Sequence, residues 1–181
     1  MRPLLPALAA FSALAIACAS GGEYGFSRIY SPLDAEAAAI EPAVDYDPVM
    51  VRRLPQDWKG KPIRLFGVVV SRSDGDDGKA DVLLSVRRLA ARNLCESGDE
   101  ESCRVTVSDK EIVRVHALMA LTKAESVGTE RLRPGSLLRL VGVLHDQPDK
   151  EDGTDVFVVD YHRHWPPRFF VTEQARSYMR R

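Results

Sequence analysis

Asp160, His162 and His164 alternate along the chain, so on a continuous strand they would share one face. Two imidazoles and a carboxylate form a set that can hold a transition metal. Pro166 and Pro167 follow immediately and end any strand there. His145 is predicted to lie opposite Asp155, at the far end of the same hairpin from His162. The three residues are therefore read as an ordinary polar strand end, and no metal site and no cofactor are expected. His116 sits within an apolar stretch and is read as a hydrogen-bonded core or edge residue. The run Asp74-Gly75-Asp76-Asp77-Gly78 lacks the alternate ligand spacing of a calcium loop, and its twelfth position is Ser85 where glutamate is required. A solvated hairpin turn accounts for it.

The densest aromatic and basic stretch is Tyr161-His162-Arg163-His164-Trp165-Pro166-Pro167-Arg168-Phe169-Phe170. Tyr161, His162, His164 and Trp165 are the candidate contacts for a partner or a small ligand. The sequence has no Gly-x-Ser-x-Gly, Ser-x-x-Lys, His-Glu-x-x-His or phosphate-binding Gly-Lys-Ser/Thr motif. No catalytic residue is assigned, and the chain is read as non-enzymatic.

Met1-Arg2 supplies one positive charge, and Leu4 to Ala17 is apolar apart from Pro6 and Ser12. That run is shorter than the roughly 20 residues a membrane-spanning helix needs and has the layout of a secretory signal. Its exit, Leu14-Ala15-Ile16-Ala17-Cys18, resembles the lipobox of bacterial lipoproteins, with Ala15 standing where that family usually has leucine. The resemblance implies a signal peptide over residues 1–17 and a lipid on Cys18, on a tether opened by Ala19-Ser20-Gly21-Gly22. Two or more acyl chains give stable anchoring. Ala19, in place of the aspartate that retains enterobacterial lipoproteins at the inner membrane, points to the outer membrane facing the periplasm. Lipidation would consume Cys18 and leave Cys95 and Cys103, which bracket the polar loop Glu96 to Ser102 and are expected to form a disulfide in an oxidising compartment.

Removing residues 1–17 takes one charge, Arg2, from the 25 Lys+Arg and leaves 24 against 26 Asp+Glu. Such a balance exerts no long-range pull on polyanions. Residues 18–57 read as a tether with a short helix, Ser31 as its N-cap and Pro32 at its first position. Residues 58–172 read as the globular domain, and residues 173–181 as a tail. Ile63 to Val70, Asp81 to Leu89, Arg104 to Val107, Gly135 to His145 and Asp155 to Tyr161 read as strands. Ile112 to Leu121 is compatible with a strand or a short helix.

Ile63-Arg64-Leu65-Phe66-Gly67-Val68-Val69 matches Leu138-Arg139-Leu140-Val141-Gly142-Val143-Leu144 in residue type at every position. Glycine inside an apolar strand marks a bend or bulge. With Leu132-Arg133-Pro134-Gly135-Ser136 leading into the second copy, this resembles the approach to the fourth strand of OB-fold domains. The expected fold is mainly β: a small five-stranded OB-like barrel with one short helix, its first and fourth strands paired, preceded by a signal peptide and a tether. OB folds host many functions. Val82 to Leu89 and Arg104 to Val107 contain no aromatic residue to stack a base. Arg87, Arg88 and Arg92 are basic, but the anchored address is outside the cytoplasm, so no nucleic-acid partner is expected. The reading is a lipid-anchored envelope binding module that contacts a protein or cell-wall partner. The alternative is a small-ligand or metal carrier that uses Tyr161 to Trp165.

Overall fold

The computed structural model describes residues 22–75 and 79–180. Cys18 and the signal segment 1–17 lie outside the described residues. In chain order the elements are α1 (Asp34–Ile40), β1 (Val44–Asp45), α2 (Pro48–Arg53), α3 (Pro55–Trp58), β2 (Ile63–Asp74), β3 (Lys79–Arg87), β4 (Leu94–Cys95), β5 (Cys103–Val107), β6 (Arg114–Ala120), α4 (Lys123–Ser126), β7 (Leu137–Leu144), β8 (Asp155–Trp165) and β9 (Phe170–Thr172).

Alternation of side chains builds the barrel. On β6, Val115, Ala117 and Met119 are buried while Arg114, Leu118 and Ala120 are exposed. The ladder runs β2-β3-β6-β8-β7, and β7 returns to β2 to close it. The β6–β8 pair is parallel, and the other four pairs are antiparallel. Numbered within the barrel, this is the order 1-2-3-5-4-1, which is an OB-fold barrel. Ile63, Leu65, Val69, Val82, Leu84, Leu138, Leu140 and Phe157 fill its interior. Each such side chain contributes about 1.5–3 kcal/mol on burial.

The third barrel strand is β6, not Arg104 to Val107. That stretch is β5 and pairs with β4 and β9 in a separate three-stranded sheet. The Cys95–Cys103 disulfide joins β4 to β5 where the two residues face each other. Closing a loop of this size stabilises by about 2–3 kcal/mol in the chain-entropy model. A second apolar cluster, containing Phe66, Val105, Val107, Leu137 and Trp165, joins this sheet to the outside of the barrel.

The stretch before the barrel is packed down rather than free. Tyr46, Val51 and Trp58 belong to the barrel's own core cluster, and β1 adds to β2 in parallel. The first helix starts at Asp34 with Leu33 at its N-cap. The Glu36 carboxylate takes over the work expected of Ser31 by accepting from the Leu33 amide at 3.3 Å. The last residues also pack: Met179 is buried and Arg180 bridges to Cys95.

β2 and β7 pair as expected, with Ile63 opposite Gly142 and Gly67 opposite Leu138, so the two glycines stand at different points of the ladder. A Cβ on Gly142 would lie 2.2 Å from the Val158 carbonyl oxygen, because β7 and β8 bulge there. A Cβ on Gly67 would meet the Leu84 side chain at 3.0 Å, and the β2–β3 irregularity comes later, between Val69 and Ser71. Backbone cannot yield as a side chain can. Gly142→Ala is expected to destabilise by about 3 kcal/mol or more and Gly67→Ala by about 1–2 kcal/mol. The double variant should cost the sum, because the two clashes involve different strands. Urea denaturation of the three variants measures this, and equal costs at the two sites would contradict the bulge assignment.

Candidate binding groove

Arg139 of β7 and Arg163 of β8 are direct cross-strand partners on the outer face of the barrel. Two like charges so placed repel. Glu36 of α1, fully buried, sits over both: Oε1 is 3.2 Å from Arg139 Nη1 and Oε2 is 2.8 Å from Arg163 Nη1. The Tyr30 hydroxyl donates to Oε1 at 2.5 Å. Burial first, then the neighbouring Glu36 carboxylate, raises the Tyr30 pKa well above the phenol value. The Arg139 guanidinium lies 4.7 Å from the Phe66 ring centroid and 5.5 Å from that of Tyr30. Arg163 lies 4.6 Å from that of Trp165. Aromatic faces and one carboxylate thus hold two arginines under the N-terminal segment. Arg28 ties the start of that segment to Asn93.

Docking of this segment beside β2 and β3 leaves a groove of about 870 Å³, lined among others by Tyr30, Arg64, Phe66, Arg88, Val49 and Ile112. Arg64 is fixed by Asp45 at 2.8 Å and by the Ile40 carbonyl at 3.1 Å. The Arg64 hydrogen bond in turn holds the Asp45 carboxyl below its usual range, against the opposing effect of burial. Arg87 donates to Ser85 Oγ at 3.0 Å and to the Asp109 carbonyl. Arg88 is exposed. Ile29, Val49 and Ile112, 68%, 55% and 43% exposed, give the groove apolar walls.

The residues singled out in Tyr161 to Trp165 do not converge on one site. Their strand β8 carries them to both of its faces. Trp165 is buried in the second apolar cluster, and Tyr161 and Arg163 share its parity. His162 and His164 stand opposite Leu140 and Leu138, the inward residues of β7. His162 Nε2 is 2.7 Å from Glu125 Oε1. Glu125 Oε2 also accepts from the Thr122 amide at 2.9 Å and hydroxyl at 2.8 Å. Asp160 is exposed and is the extra residue of the bulge, without a partner on β7. Burial lowers the His164 pKa, and its Nε2 has no hydrogen-bond partner among the described residues. Tyr161 and Trp165 thus stand on the opposite face of β8 from His162 and His164.

Sequence reasoning missed Tyr30, Glu36, Arg64 and Arg139. The available signal was the repeated arginine inside an apolar strand, Arg64 and Arg139 at matched places of the echo. A lone glutamate in the alanine run 35–39 was its partner.

No protein-family model matches the chain, and no curated protein matches it. Among solved structures, two of the protein priB from Ralstonia solanacearum are similar at 17% and 16% identity. They cover 57% and 58% of this chain and 97% of theirs, with TM-scores of 0.30 and 0.31. A deletion mutant of the single-stranded DNA binding protein from Thermus aquaticus is similar at 18% identity, over 59% of this chain and 51% of that one, with a TM-score of 0.30. The expected exclusion of nucleic acid is corrected here: it rested on Arg104 to Val107 as a barrel strand, and β5 is no barrel strand. The aromatic and arginine side chains gather instead where Tyr30 and β2 meet the groove.

Burial works against ionisation of Glu125, but the hydrogen bonds from His162 and Thr122 outweigh it and lower its pKa from 4.5 to about 2. A depressed carboxylate pKa stabilises the fold above the unfolded value, and that contribution disappears as pH falls through the folded one. Stability should therefore drop between about pH 5 and pH 2, and Glu125→Gln should flatten that part of the profile. Denaturation midpoints across this range give the answer, and an unchanged slope in the variant would contradict it.

Proposed function

We propose that the chain is a lipid-anchored protein of the cell envelope, held by Cys18 at the outer membrane and facing the periplasm. Its OB-fold domain is a non-enzymatic module that binds a protein or cell-wall partner in the groove between the N-terminal segment and β2–β3. The observation that carries this reading is the groove itself, with exposed Ile29, Val49 and Ile112 beside the exposed Arg88. Apolar side chains with one accessible guanidinium suit a peptide segment that combines apolar and acidic residues. The lipobox-like exit at Leu14 to Cys18 supports the anchor.

A second reading is favoured by the exposed Arg88 with the half-buried Arg64 and Arg87 beside it in the same groove. They would suit a single-stranded nucleic acid backbone.

Photo-crosslinking in cells, from positions Val49, Arg88 and Ile112, separates the two readings. One discrete protein or glycan adduct from all three, absent from Lys123 on α4, is the expected result. Crosslinking to nucleic acid, with salt-dependent oligonucleotide binding lost in Arg88→Ala, would replace the first reading by the second. In parallel, Cys18→Ser should abolish acyl labelling and membrane retention. A labelled and retained variant would overturn the anchor.

A further inference from the structure

His116 faces outward from β6, between the buried Val115 and Ala117. It meets three aspartates from two other parts of the chain. Asp81 of β3 stands diagonally across the ladder, since its direct partner is Leu118, and lies 2.8 Å from His116 Nδ1. Asp152, in the loop between β7 and β8, has Oδ2 at 3.4 Å from Nε2. One ligand atom each from His116, Asp149 and Asp152 falls within 4.8 Å of the others.

We propose that His116 Nε2, Asp149 and Asp152 form a binding site for a divalent transition metal of the zinc class, with Asp81 as its positioning residue. This site is separate from the groove and does not depend on what the groove binds.

Three features set the cluster apart from a patch of acidic residues. The first is the histidine, a ligand that calcium and magnesium sites, built from oxygen, do not use and that zinc sites do. The second is Asp81 on the other ring nitrogen. A carboxylate on Nδ1 orients the ring and aims Nε2 at the loop, the arrangement usual for metal-binding histidines. The third is charge: among the described residues, no lysine or arginine lies within salt-bridge distance of Asp81, Asp149 or Asp152. His116 is the one partner at that distance, on Asp81 and Asp152, and a divalent cation would add positive charge to a group of three carboxylates.

The two loop carboxylates are each held by one oxygen. Asp149 Oδ1 accepts from the amides of residues 151 and 152 at 2.8 and 3.1 Å. Asp152 Oδ1 accepts from the amide and hydroxyl of Thr154 at 2.9 and 2.7 Å. The remaining oxygens are available to a cation. A tetrahedral ion with bonds of about 2.0–2.2 Å sets its ligand atoms roughly 3.4 Å apart, and His116 Nε2 and Asp152 Oδ2 stand 3.4 Å apart. Three protein ligands leave the fourth position of a tetrahedral ion open.

Titration of the full chain with Zn2+ by calorimetry, repeated in Cys18→Ser so that no thiol competes, tests the site. Co2+ absorption serves as a second readout. One equivalent should bind, with affinity at least about tenfold weaker in His116→Ala and in Asp152→Asn. Asp81→Asn should weaken binding by about 10- to 100-fold without changing the stoichiometry. His145→Ala should bind as the parent chain does. Circular dichroism confirms that each variant is folded, and Asp152→Asn, on an exposed loop, keeps the test alive if His116→Ala is not. Absence of stoichiometric binding, binding that survives both His116→Ala and Asp152→Asn, or preference for Ca2+ over Zn2+ would overturn the proposal.

Discussion

Two arginines side by side on the outer face of a barrel need a counter-charge, and this chain supplies it from a helix that precedes the barrel. Glu36 is fully buried against Arg139 and Arg163. An ion desolvated to that extent is tolerated only when its partners stay in place, and removing one side of such a cluster costs about 3–5 kcal/mol. The same contact therefore fixes three things at once. It holds α1 on β7 and β8, it settles Tyr30 between Phe66 and Trp165, and it places the N-terminal segment as one wall of the groove. Without that wall, β2 and β3 would present an ordinary convex barrel surface.

The barrel that carries these arginines depends on close backbone approach at one glycine. Gly142 admits the Val158 carbonyl where a side chain cannot fit, and the bulge there adds Asp160 to β8. That single extra residue shifts the alternation of everything after it. Phe157 and Val159 face the core before the bulge, while His162 and His164 stand opposite inward residues after it. Arg163 is consequently delivered to the outer face, next to Arg139 and under Glu36.

The barrel was legible because its evidence is local. The echo of residues 63–69 in residues 138–144 located the first and fourth strands, and those strands pair. The bracket of Cys95 and Cys103 by short strands located the disulfide. The groove was not legible, because its parts lie far apart: residues 29–49 on one side and residues 64–66, 86–91, 112 and 139 on the other. A strand pattern carries no information on which outward residues another segment will cover. Tyr161 to Trp165 misled for the complementary reason. Regular alternation placed Asp160, His162 and His164 on one face, but it did not anticipate a bulge within that span. Composition was equally silent on residues 22–58, since prolines at 42, 48 and 55 punctuate an extended tether and a packed wrap alike.

The central claim is that Glu36 fastens the N-terminal wall onto a barrel that holds together without it. Amide hydrogen exchange on Glu36→Gln tests this most directly. Ala37, Val44 and Asn93 donate to Leu33, Pro62 and Arg28 respectively, and all three bonds belong to the docked segment. Val69 and Val86 donate within the barrel, to Ser136 and Val113. The account predicts that the first three amides lose protection in the variant while the two barrel amides keep theirs. Equal loss across both groups, or no change in either, would contradict it.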